Sequence, residues 1–496
     1  MVNLFWFYYS SKYDILLAQI KKANFRQQEE LFVKKEKMKL KVINPHNQSV
    51  VGEINISSKA DIKKAVKSAK SAFPAWKAIP IEKRVKYIVR FRDLVAKNKD
   101  KIAKLTTTEM GKPINQSYDD VAWELTFLDY YVKSGPKHLA DETVYKKGKD
   151  DFRITYEPYG VCACIAPWNF PLSMANSGII PALIAGNTVV FKPSEYCIFT
   201  QKIIVDLLAK SGLPKGVINL VVGGGEVGRV LVDEEIDLAW FTGSTKVGQE
   251  IYKKCGTKFI KALLEMGSSS PAIIFADADL DLTMDNIYWA RYFNCGQVCT
   301  AVKRLFVQKP IFDQVVDLFI KKIKNAKVGN PADKNTQIGP LVSAKQLRLL
   351  EDQVADAIKK GAKVEIGGQR PKDKALQKGN YYLPTVLTNV RHNMRVLTEE
   401  IFGPVLPIVP FNTEEEAIKL ANNTPYGLSA EVYTTDFVKG ERAAKQIDAG
   451  TVAINTDNFF RPECPFGGYK KSGMGREYGQ VGMREFCQIK LLAVHK

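Results

Sequence analysis

The chain predicts an α/β fold of two lobes, and three observations carry the prediction. Short apolar, β-branched runs recur from residue 154 onward, as VCACIA at 161–166, NTVVFKP at 187–193, VINLVV at 217–222, IDLAWF at 236–241 and PAIIF at 271–275. Helical segments separate them, and this alternation implies a parallel sheet with helices on both faces. A second alternating series covers about 304 to 454, through RLFVQ, AKVEIGG, VLPIVPF and AEVYTT. A chain of 496 residues, 45% of them hydrophobic, can bury a core large enough for two or three domains. No internal repeat or low-complexity linker interrupts it.

Taken in order, residues 1 to 37 read as an appendage. Leu4 to Tyr9 are apolar, but the basic start and small-residue cleavage site of a signal peptide are missing. Met38 stands as an alternative start. Ile62, Val66, Ala69, Phe73 and Trp76 fall at helical spacing, and a second amphipathic run covers about 81 to 105. The polar, strand-like segment 139–157, LADETVYKKGKDDFRITYE, has no core of its own and reads as an arm that packs on another subunit.

Composition narrows the class. The formal charge of +19 comes from Lys and Arg spread along the chain among Asp and Glu, a solvated surface rather than a nucleic-acid arm. It would still steer anionic ligands. No run of about 18 apolar residues spans a membrane. The eight cysteines are scattered singly, which suits reduced thiols in a cytoplasm. The four histidines stand at no zinc spacing, so no structural metal is expected. FADADLDL places Asp277, Asp279 and Asp281 as in a calcium loop, but Leu282 and Tyr288 stand where glycine and glutamate are needed.

Nucleotide candidates cluster at strand ends. Gly223, Gly225 and Gly228 match the dinucleotide fingerprint in form, yet the confirming acid about 20 residues on is absent. Thr242-Gly243-Ser244 turns into a helix near Ser244, whose free N–H groups suit a pyrophosphate, or simply a capped helix. Lys192 and Glu195 in FKPSE follow another strand; a carboxylate there could hold both adenosine ribose hydroxyls and would repel a 2′-phosphate.

Thiolate attack on a carbonyl needs a nucleophile, donors for the oxyanion and a base for water. Cys299 in GQVCTA, Asn169 in PWNFP and Glu265 in LLEMG offer one of each. Singly, they read equally as a buried free cysteine, a turn asparagine and a strand-end glutamate. Together, the ordered series PWNFP, PALIAGNTVVFKPSE, FTGSTKVG, LLEMG, GQVCTA, EEIFGPV and PFGGYKKSGMGRE resembles the aldehyde dehydrogenase superfamily, from about residue 40 to the C-terminus.

The resemblance implies a Rossmann-type cofactor domain over 38–138 and 158–265, a catalytic domain over 266–455, and an oligomerisation arm of 139–157 and 484–496 for a homodimer or homotetramer. It makes Cys299 the nucleophile rather than Cys295, Asn169 the oxyanion donor and Glu265 the general base. Trp168, Lys192, Glu195, Gly225, Gly243, Ser244, Glu400 and Phe402 would hold the cofactor, NAD or NADP, with Glu195 favouring NAD. Ser268 stands where many members have glycine, which would tighten the nicotinamide side. Gly178 replaces a proton-relaying lysine, which would route protons through water.

The expected activity is non-acylating oxidation of an aldehyde to a carboxylate, with succinate semialdehyde the leading substrate. Arg461 would anchor the far carboxylate and Phe459 would line the wall. A general short-chain or lactaldehyde dehydrogenase is the alternative, and a silent binding protein of the same fold the rival from another class.

Overall fold

The computed structural model describes residues 38–496, and the appendage expected over 1–37 lies outside the described residues. The helix Lys59–Lys77 starts at a capping box: Ser58 Oγ accepts from the Asp61 amide at 3.2 Å, and Asp61 Oδ2 accepts from the Ser58 amide at 2.9 Å. Such a cap contributes about 1 kcal/mol. The helix buries Ile62, Val66, Ala69 and Trp76. The run expected over 81–105 is instead two helices, Ile81–Lys97 and Lys99–Met110. Asn98 divides them because its side-chain amide donates to the Leu94 carbonyl at 2.8 Å, competing with the backbone ladder.

Two sheets carry the lobes. The first has six strands in the order Gly473–Met474, Lys261–Glu265, Leu238–Thr242, Val161–Ile165, Thr188–Lys192, Ile218–Leu220. All its neighbours are parallel except Gly473–Met474, which runs antiparallel to Lys261–Glu265. Only Ile218–Leu220 of the VINLVV run pairs as strand, since Val222 turns away and its amide donates to Ser57 Oγ at 2.9 Å. The second sheet has seven strands: Lys363–Ile366, Thr385–Thr388, Val405–Phe411, Arg304–Gln308, Pro271–Ile274, Ser429–Tyr433 and Thr451–Ile454. PAIIF, the last run of the first series in sequence, lies inside this second sheet.

Both sheets are covered on both faces, which is why central strands such as Val161–Ile165 and Pro271–Ile274 are apolar on both sides rather than alternating with polar residues. Cys162, Cys164, Phe191 and Trp240 face one core, while Val161, Ala163, Ile165 and Phe241 face another. In the second sheet Ile274, Leu305 and Val307 point one way, and Ile273, Phe275 and Phe306 the other. The strands Glu142–Lys147, Asp150–Pro158 and Cys487–His495 form a separate antiparallel sheet.

The first sheet winds outward from Val161–Ile165 in both directions, so a topological switch point lies between that strand and Leu238–Thr242. Open α/β sheets bind ligands beyond the carboxyl ends of strands at such a point. The chain segments there are 166–169 and 243–244.

Candidate active site

The loop from 293 to 303 links the helix Leu280–Tyr292 to the strand Arg304–Gln308. Asn294 (φ 50°), Cys295 (φ 57°) and Gly296 (φ 71°) are left-handed in succession, at roughly 1–2 kcal/mol for each non-glycine residue. Tertiary bonds hold them there. The Asn294 amide donates to Gln116 Oε1 at 2.8 Å, and its side chain donates to the Asn169 carbonyl at 3.0 Å. A Cβ at Gly296 would lie 2.4 Å from the Gly403 carbonyl oxygen, so only glycine fits.

This contorted turn separates the two thiols. Cys295 is buried in the second lobe's core, which pushes its thiol up to about 12. Cys299 is partly exposed and packs against the first lobe's core. Asn169 Nδ2 donates to the Gln297 carbonyl at 3.1 Å, which ties the PWNFP turn to the nucleophile loop and leaves the second amide hydrogen free of that bond. Burial pushes the Cys299 thiol up to about 12; the Lys303 ammonium and the Thr300 amide oppose this, while the Glu265 and Glu400 carboxyls add to it.

Glu265 ends the strand Lys261–Glu265 and is 5% exposed. Its Oε1 lies 2.7 Å from where a Cβ on Gly467 would stand, and its Oε2 is buried without a hydrogen-bond partner. Burial first, and then the neighbouring Glu477 carboxyl, raise it well above the ordinary carboxyl value against the pull of Arg476. Burial also pushes Glu477 to about 7, although Trp240 Nε1 donates to its Oε1 at 2.7 Å.

Trp240 also explains Gly178. A Cβ there would lie 2.4 Å from the indole, so the ring leaves no room for a side chain at this position. Ser268 departs from the tightening expected of it. Its hydroxyl pairs with Ser270 Oγ at 2.7 Å, Ser270 pairs with Ser429 Oγ at 2.9 Å, and Ser268 is fully buried. The side chain enters an internal serine chain and does not narrow the pocket.

The cofactor candidates gather at the switch point and across from it. Lys192 is buried at the end of its strand, 3.8 Å from the half-exposed Glu195, and donates to the Pro193 carbonyl at 2.9 Å. Ser244 occupies the N-cap of the helix Thr245–Lys258, but its side chain makes no capping bond. That leaves the first N–H groups of the helix open to a ligand. Gly225 starts the helix Gly225–Asp233, and a Cβ on Gly224 or Gly225 would meet only open space. The Gly243 amide donates to the Glu265 carbonyl at 3.0 Å, joining the two regions. Glu400 Oε1 accepts from the Ser268 amide at 3.0 Å, while a Cβ on Gly267 would stand 2.3 Å from its Oε2. Trp168 and Phe402 meet edge to face at 5.4 Å. An open anion cradle, a carboxylate at a strand end and a second carboxylate across the cleft fit a nicotinamide dinucleotide.

Arg461 is exposed and Phe459 half-buried. The neighbouring Phe460 packs more closely, stacked on Phe127 at 5.2 Å and edge-on to Tyr478 at 5.1 Å. Phe460 is expected with Phe459 as a wall of the substrate pocket, whereas sequence reasoning passed over Trp240, Glu477 and Lys303. Lys303 carried the clearest signal, a cation four residues beyond Cys299 in the run CTAVKR that leads into an apolar strand.

Two doubly covered α/β lobes, with a thiol, an amide and a buried carboxyl near a switch point, fit the dehydrogenase class of enzyme. Residues 32–492 match the model of the aldehyde dehydrogenase family. The chain is 38% identical to a betaine aldehyde dehydrogenase of Bacillus subtilis, covering 90% of this chain and 92% of that one. It is 35% identical to a glutarate-semialdehyde dehydrogenase of Pseudomonas aeruginosa, with 92% and 94% covered. Among solved structures, a putative aldehyde dehydrogenase from Burkholderia cenocepacia superposes with a TM-score of 0.90 at 36% identity, over 92% of this chain and 94% of that one. A betaine aldehyde dehydrogenase from Staphylococcus aureus, in complex with NAD+, gives 0.89 at 36% identity, with 92% and 94% covered. The chain belongs to the aldehyde dehydrogenase family and is an NAD(P)-dependent aldehyde dehydrogenase.

Proposed function

We propose that the protein oxidises an aldehyde to its carboxylate through a covalent intermediate on Cys299, with NAD as cofactor and succinate semialdehyde as the preferred substrate. The observation that carries the covalent reading is the convergence of a partly exposed thiol, the Asn169 amide and the buried Glu265 carboxyl. The thiolate adds to the carbonyl carbon, and the C=O electron pair moves to oxygen. Asn169 Nδ2 and the Cys299 backbone N–H donate to that oxyanion. When bound, the nicotinamide ring supplies a hydride acceptor. Loss of hydride from carbon leaves a thioester on Cys299. Glu265 then takes a proton from water, the hydroxide adds to the thioester carbon, and the C–S bond breaks with its electron pair returning to sulfur.

Lys192, Glu195, Gly225, Gly243 and Ser244 would hold the adenosine and pyrophosphate half, with Trp168, Glu400 and Phe402 at the nicotinamide end. The Glu195 carboxylate would meet a 2′-phosphate with like charge, which supports NAD over NADP. Glu265→Gln tests the base: a burst of NADH followed by slow turnover is expected, and full steady-state turnover overturns the role.

The anionic substrate is supported by the exposed Arg461 guanidinium, which makes no ion pair among the described residues, and by the semialdehyde dehydrogenases among the relatives. Arg461→Ala should raise KM for succinate semialdehyde roughly tenfold and leave butyraldehyde unaffected. An equal effect on both defeats this reading. The rings favour a second reading, a cationic aldehyde. Phe293, at the start of the loop that carries Cys299, meets Phe170 at 6.1 Å, Trp123 at 5.7 Å and Trp289 at 4.6 Å. A kcat/KM highest for betaine aldehyde would establish it.

A further inference from the structure

Lys303, four residues beyond Cys299, has no exposed side-chain surface. Burying an ammonium costs several kcal/mol unless its protons find partners. Here three acceptors meet three donors. Lys303 Nζ donates to the Val298 carbonyl at 3.1 Å and to the Cys299 carbonyl, and stands 3.3 Å from Glu400 Oε1. The Phe402 ring lies 5.9 Å from the same nitrogen. The Lys303 amide donates to the Ser270 carbonyl at 2.9 Å, which fixes the residue at the entrance to the strand Arg304–Gln308. One buried cation therefore touches the nucleophile turn and the carboxylate at the nicotinamide end.

We propose that Lys303 is a positioning residue for the reaction: its ammonium clamps the Val298–Cys299 turn, favours the Cys299 thiolate, and divides its charge between that thiolate and Glu400. The proposal rests on Cys299 being the nucleophile. The charged groups facing Cys299 are Lys303, Glu265 and Glu400. Those facing Lys303 are Glu400, Cys299 and Arg291, whose guanidinium donates to the Val302 and Ile401 carbonyls. Of these, Lys303 is the cation that favours the thiolate, while both carboxylates disfavour it. The signs follow. Removing the lysine charge makes the thiol harder to ionise. Removing the Glu400 charge makes it easier, because a like charge leaves the thiolate and the ammonium keeps more of its own.

The test is the pH dependence of Cys299 alkylation by iodoacetamide in the full-length protein without added cofactor, read by mass spectrometry of the Cys299 peptide. Sulfur bonds to the methylene carbon and iodide leaves, so the rate follows the thiolate fraction. Lys303→Met should move the profile to higher pH by about one unit or more, roughly a tenfold slower reaction at pH 8. Lys303→Arg should hold the wild-type profile, and Glu400→Gln should move it to lower pH. A profile unmoved or moved to lower pH in Lys303→Met overturns the proposal. If that variant does not fold, an unmoved Glu400→Gln profile overturns it equally. Cys299→Ser in the aldehyde assay separates this from the parent reading: an active Cys299→Ser removes the nucleophile assignment itself. An inactive one with an unmoved Lys303→Met profile removes only the role of Lys303.

Discussion

At the scale of single residues, the site holds two carboxyls that compete for ionisation. Glu265 and Glu477 are both buried, each raises the cost of charging the other, and each keeps one oxygen without a partner. The base must be ionised to activate water, so activity should fall on the acid side as Glu265 takes up its proton. Glu477→Gln removes the like charge while keeping an acceptor for Trp240 Nε1. The Glu265 pKa then drops, and the acidic limb of the kcat profile should move to lower pH. A limb that stays in place or moves to higher pH would separate Glu477 from the base. The thiols are set apart by packing alone: Cys299→Ala should abolish oxidation, while Cys295→Ala, deep in the other core, should retain most of the rate.

At the scale of elements, the segment returning from the second lobe to the first places Glu265, the proposed base. Phe466 and Glu477 exchange backbone hydrogen bonds at 2.8 and 2.7 Å, closing a loop that lays Gly467 over Glu265. Gly467 has a φ of +155°, which residues with side chains rarely adopt, and the Cβ of Gly467→Ala would press on Glu265 Oε1. Displacing a base costs rate more than binding. Steady-state turnover should fall about tenfold or more while the initial NADH burst persists, since acylation does not use Glu265. A variant with wild-type turnover would show that the loop does not position the base.

At the scale of the whole molecule, the three-stranded arm leaves apolar surface uncovered. Cys487–His495 is one of its two edge strands, and Ile489 is 69% and Leu491 59% exposed. An open edge rich in apolar side chains is a site for another chain, and we propose that it joins copies of this one as a dimer or tetramer. An Ile489→Lys, Leu491→Lys double variant should reduce the mass measured by light scattering at micromolar concentration. A wild-type protein already monomeric there would refute the proposal. Among the described residues no helix is long and apolar enough to cross a membrane.

The sequence by itself determined the α/β class, the helix that the spacing from Ile62 to Trp76 marks out, and the motifs from PWNFP to PFGG that lead to the aldehyde dehydrogenase family. These are legible because periodicity, turn residues and motif order are written along the chain. Reading in this way could not show the break at Asn98, which turns on one side-chain bond to Leu94, or the acids of FADADLDL held in structural roles. Asp279 caps a helix, and Asp277 binds Thr434, Thr435 and Lys439. Only the tertiary structure decided that Trp240 fills the space beside Gly178, that the Ser268 hydroxyl turns inward, and that Lys303 lies between Cys299 and Glu400. Gly178 and Trp240, or Lys303 and Glu400, are far apart along the chain, and nothing in either local pattern names the other. Close packing inside each lobe brings them into contact, and burial then makes each charge and hydrogen bond between them count for more than it would in water.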